Sequence, residues 1–90
     1  MSNLDRYKTL LDSYEQGIYT DREVVGQALD MLAESNDREA LWHGLTPEHR
    51  EELAQFLASY DETAPPLFPL EYWRKVKEET VALKRWFAAR

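Results

Sequence analysis

The chain contains no cysteine among its 90 residues. That absence excludes disulfide bonds, thiolate zinc centres and a cysteine nucleophile, and it fits a reducing, cytoplasmic setting. Glycine is scarce as well: Gly17, Gly26 and Gly44 stand too far apart to cradle a phosphate. Three of the four prolines crowd into residues 61–69 and leave the rest of the chain free to be regular. No apolar run approaches the roughly 20 residues that span a bilayer. The first residues, MSNLDRYK, lack the basic-then-apolar order of a signal peptide. Period-two alternation, internal repeats and low-complexity tracts are all missing, so strands are not expected.

Positive charge is also in short supply, with 11 Lys and Arg against 17 Asp and Glu and a formal net charge of -6. Its distribution is uneven. Residues 1–69 hold fourteen acids and five bases, whereas residues 70–90 hold three acids and six bases. An acidic body repels phosphates, so nucleic acid is not an expected partner. A helix-turn-helix drawn from residues 37–60 fails for the same reason, because Arg50 stands among Glu48, Glu51 and Glu52.

What remains is helix pattern. Trp73, Val76, Thr80, Leu83 and Phe87 recur at intervals of three and four, predicting a helix over 70–89 with a wide apolar stripe. Ser2 or Asn3 caps a helix over 4–16, and Gly17 takes the left-handed position beyond it. Thr20 and Glu23 form a T-x-x-E capping box that opens a helix over 21–34. Ser35, Asn36 and Asp37 offer three successive caps for a short helix over 37–43, with Gly44 as its stop, and Thr46-Pro47 begins another over 47–60. The expected fold is therefore one all-α domain over 1–90: a bundle of four main helices, one short helix and a Pro-rich connection over 61–69. Leu11, Tyr14, Leu29, Leu32, Leu53, Phe56, Leu57, Trp73, Val76 and Leu83 are its expected centre, with Leu67 and Phe68 pinning the connection.

Catalytic constellations are not evident. His49 falls on the apolar face of its helix, and His43 sits near a helix C-terminus where an imidazolium suits the dipole. Glu39 and His43 share a face but supply two ligands where zinc wants three or four. No serine has a base and an acid in a recognisable order, and the paired carboxylates read as solvated. We expect no enzyme, no cofactor and no metal.

The hairpin residues Leu10, Leu11, Tyr14, Gly17, Ile18, Thr20 and Glu23 resemble the helical hairpin of SHOCT domains, a likeness confined to residues 4–33. The resemblance implies an interaction module and assigns no active residue. Two surfaces are candidates for such a role. Tyr72 and Trp86 lie on one edge of the last helix with Glu79 midway, displaced from the buried stripe, where exposed aromatics commonly anchor a protein partner or a second copy. The alternative expectation is that residues 65–69 fold back over them. Glu23, Gln27, Asp30 and Glu34 make an acidic face on the second helix. A chain of this size, acidity and helical content is similar to small immunity proteins that mask nucleases, which implies an inhibitor of a basic partner. A third reading lays the basic last helix on an anionic membrane through Lys77 and Lys84.

Overall fold

The computed structural model describes residues 2–66, 68 and 70–90. Among them the fold is all-helical: α1 (Asn3–Glu15), α2 (Asp21–Glu34), the short α3 (Arg38–Gly44), α4 (Pro47–Ser59) and α5 (Glu71–Ala88), with no strand. Local chemistry sets the ends. The Ser2 hydroxyl accepts the Asp5 N–H at 3.1 Å, and Gly17 adopts φ +80° beyond α1. Thr20 and Glu23 close the full capping box. The Asp37 carboxylate accepts the Ala40 N–H at 3.3 Å and opens α3.

The residues form two compact units, Met1–Leu53 and Ala54–Arg90. In the first, α1 and α2 are antiparallel: Asn3 Nδ2 donates to the Met31 carbonyl near one end, and Tyr14 Oη donates to Asp21 near the other. Tyr7, Leu10, Val24, Ala28, Met31, Leu32, Leu41, Trp42, Leu45 and Leu53 are buried there. Two arginines finish helices from outside them. Arg38 donates to the carbonyls of Leu32 and Ala33 at the end of α2, and Arg50 donates to those of His43 and Leu45 after α3.

The expected centre needs correction. Leu11, Tyr14 and Leu29 are only half-buried, because the inward face of α1 runs through Tyr7 and Leu10 and that of α2 through Val24, Ala28, Met31 and Leu32. On α4 the buried line is His49, Leu53 and Leu57, at intervals of four, which rotates Phe56 outward to 42 % exposure. Gly44 is the last residue of α3 rather than the stop just beyond it. Its hydrogen faces Leu4, where a Cβ would come within 2.3 Å of Cδ1.

In the second unit, Thr80 and Leu83 are buried, while Trp73, Val76 and Phe87 are half-buried. Thr80 satisfies its hydroxyl on the Val76 carbonyl at 2.8 Å. The connection before α5 is held by α5 itself: Lys77 Nζ donates to the Ala64 carbonyl, Lys84 Nζ to the Tyr60 carbonyl, and Arg85 Nε lies 3.2 Å from Glu62. Much of the basic charge noted in residues 70–90 is thus spent on orphan carbonyls and one carboxylate within this unit. No helix of the described residues is long and apolar enough to cross a membrane.

Candidate interaction surface

The long helix α5 begins without a side-chain cap, since Leu70 stands at the N-cap position. Glu71 in the first turn and Arg85 in the last have the signs that suit the helix dipole. At the start of this helix three apolar side chains stand in solvent: Phe68 is 52 % exposed, Leu70 60 % and Tyr72 67 %. Half-buried Trp73 joins them, its ring centroid 6.0 Å from Phe68 and 5.1 Å, edge-on, from Tyr72. Phe68 therefore does not sink into the core as expected, while Leu67 lies outside the described residues. Tyr72 thus stands open to solvent rather than covered by the described residues before it. Further along, Glu79 is exposed, and half-buried Trp86 carries the Arg90 guanidinium over its ring at 4.9 Å. Tyr72, Glu79 and Trp86 occupy one edge of α5, and the exposed Phe68 and Leu70 stand just before it; the part of Phe68 is hidden from sequence because that residue lies outside the expected helix over 70–89.

The acidic face of α2 is arranged differently. Glu23 Oε1 accepts from Thr20 N at 3.3 Å and from Thr20 Oγ1 at 3.0 Å, so that carboxylate is committed to its cap. Glu34 lies 3.8 Å from Arg6. Asp30 has its pKa raised by partial burial and, secondarily, by the charge of Glu34. Half-buried Gln27 joins Asp30 and Glu34 in edging a shallow depression of about 130 Å³ that also includes Arg6 and Met31, and Glu23 lies outside it.

His43 pairs with Glu39 at 3.2 Å on an exposed helix face. Among the described residues no three His, Cys, Asp or Glu side chains gather as a metal would require.

A buried polar cluster escaped the sequence reading. His49, 2 % exposed, places Nε2 3.3 Å from Asp21 Oδ1 and Nδ1 2.9 Å from Thr46 Oγ1 and 3.1 Å from Tyr7 Oη. The tautomer follows from counting hydrogens. Thr46 N–H donates to Tyr7 Oη, and His49 N–H donates to Thr46 Oγ1. The two hydroxyl hydrogens then need acceptors, and both are served only while Nδ1 keeps its lone pair, with Tyr7 also within 3.5 Å of Thr46 Oγ1. The ring proton therefore sits on Nε2 and points at Asp21.

Asp21, His49 and Thr46 stand in the order of a hydrolytic triad. The hydroxyl end, however, holds the first turn of α4 by accepting the backbone N–H of His49 itself. Tyr14 donates to Asp21 at 2.6 Å and packs edge-on against the imidazole. That hydrogen bond is the main reason the Tyr14 pKa is raised and the Asp21 pKa lowered, with the His49 hydrogen bond next for Asp21. A carboxylate with a lowered pKa adds stability that is complete above its ordinary value of about 3.9 and is lost as pH falls through the lowered one. Asp21→Asn should therefore flatten the acid limb of stability in thermal melts between about pH 2 and pH 6. An unchanged limb would show that Asp21 does not contribute to it.

Compared with known families, curated proteins and solved structures, the chain matches no family model, no curated protein and no solved structure.

Proposed function

We propose that this is a small non-catalytic interaction module that binds a protein partner or a second copy through the α5 edge of Tyr72, Glu79 and Trp86. The observation that carries the reading is the exposed apolar run at the head of that edge: Phe68, Leu70 and Tyr72 are each more than half in solvent, and Trp73 meets the rings of Phe68 and Tyr72. Such a run costs free energy in water and gains it under a partner. The buried His49 cluster supports the non-catalytic part, because its hydroxyls and ring nitrogens are consumed in holding α1, α2 and α4 together.

The rival surfaces are less available. On the acidic face, Glu23 serves its cap and Glu34 is offset by Arg6. For a membrane, Lys77 and Lys84 are the cations required, and both ammonium groups are turned onto carbonyls of the same unit.

The test is retention of partners by the immobilised protein, with sedimentation of the protein alone, for the wild type, Tyr72→Ala, Trp86→Ala and the triple replacement of Glu23, Asp30 and Glu34 by Gln. Binding should fall on the order of tenfold or more with each aromatic variant and stay within a few-fold with the acidic one. Binding lost only with the acidic replacements, or none with any variant in either assay, would overturn the reading. Co-sedimentation with anionic vesicles should show no retention, and retention lost with Lys77→Ala and Lys84→Ala would transfer the surface to lipid.

A further inference from the structure

We infer that the occupant of the α5 edge is a second copy of this chain, docked through two antiparallel α5 helices; the inference rests on the interaction reading above and names its partner. Tyr72, Lys75, Glu79, Ala82 and Ala89 are exposed and Trp86 is half-buried. At about 100° per residue these six lie within roughly 100° of arc, a single edge with an aromatic at either end and opposite charges between them. Among the described residues neither Lys75 nor Glu79 has an ion-pair partner.

Charge selects the register. A two-fold axis at the level of residue 77 sets Lys75 of each copy opposite Glu79 of the other, so symmetry makes the favourable pair twice. The same axis places the Tyr72 ring over Ala82, where a short side chain leaves room for it. It also carries Trp86 toward the end of the other helix, where Phe68 and Leu70 are exposed. An axis at Glu79 would instead press two carboxylates together, and a parallel, in-register pairing would set each charge against its own kind. Six side chains are far fewer than the roughly 20–30 per partner of a standard interface, so the pairing is weak and concentration-dependent, and each charge counts.

Sedimentation velocity over a concentration series tests this with the full chain, in low and high salt. The wild type should pass from monomer to dimer as concentration rises, less readily in high salt. Lys75→Glu and Glu79→Lys should each weaken the dimer on the order of tenfold, since each replaces two attractions by two repulsions. The double variant, with the charges exchanged, should restore it. Tyr72→Ala should weaken the dimer as well. Circular dichroism should show every variant as helical as the wild type, because all three positions are exposed. A dimer indifferent to the single charge changes, or a double variant no better than the singles, overturns the inference. A wild type that is monomeric throughout also overturns it. If Tyr72-dependent retention of a different protein persists in that case, the interaction reading survives without the self-pairing, and if retention is absent too, both fall.

Discussion

Leu83→Ala is expected to lower the free energy of unfolding by about 2–5 kcal/mol. Leu83 is fully buried on α5, flanked by the half-buried Trp73, Val76 and Phe87 of the same stripe and by Thr80, whose hydroxyl is already satisfied within the helix. Truncation there removes three carbon atoms from a site with no solvent exposure and leaves a void lined by apolar groups. Urea denaturation followed by helical circular dichroism measures the effect. A loss below about 1 kcal/mol would mean that the neighbours close over the smaller side chain, the least costly outcome for a core truncation.

His49→Leu should cost about 2–4 kcal/mol, and for a different reason. The substitution keeps an apolar side chain of similar bulk but deletes the acceptor that serves the hydroxyls of Tyr7 and Thr46, and the donor that reaches Asp21. Orphaned hydrogens inside the first unit then carry the penalty, rather than a cavity. The two mechanisms separate in a double-mutant cycle with Tyr7→Phe. Removing the phenol removes one of the orphans, so the double variant should be less destabilised than the sum of the singles by on the order of 1 kcal/mol. Additive losses would mean that the His49 penalty is packing and not hydrogen bonding.

The cycle also marks where sequence reading succeeds and where it stops. Thr20, Glu23, Ser2 and Gly17 announce helix ends because a cap is a matter of a few consecutive residues: α2 begins at Asp21, directly after the Thr20 cap, and α1 starts after Ser2 and stops before Gly17. The face a helix turns inward is less local. Phe56 reads as central and His49 as one residue of the apolar face, yet His49 is the better buried because Tyr7 and Asp21, distant in sequence, join Thr46 in completing its hydrogen bonds. Arg38 and Arg50 finish helices they do not belong to, and Lys77 and Lys84 tie down a connection 13 and 24 residues away. Long flexible cations of this kind carry no spacing rule. On the candidate surface, the displacement of Tyr72 and Trp86 from the buried stripe could be read from helical period alone. The exposure of Phe68 could not, since Phe68 precedes the expected helix and reads instead as an anchor of the connection.

The meeting of Gly44 with Leu4 ties together two positions forty residues apart. A side chain at 44 has room only if the one at 4 withdraws. The two sites are therefore not free to drift independently: descendants that acquire alanine at 44 should carry a shorter or re-angled residue at 4, and a library randomised at both should return compensating pairs far more often than chance. Neither residue need touch a partner for that correlation to arise, so covariation between these two columns would report packing at the end of α3 and should not be taken for a trace of binding.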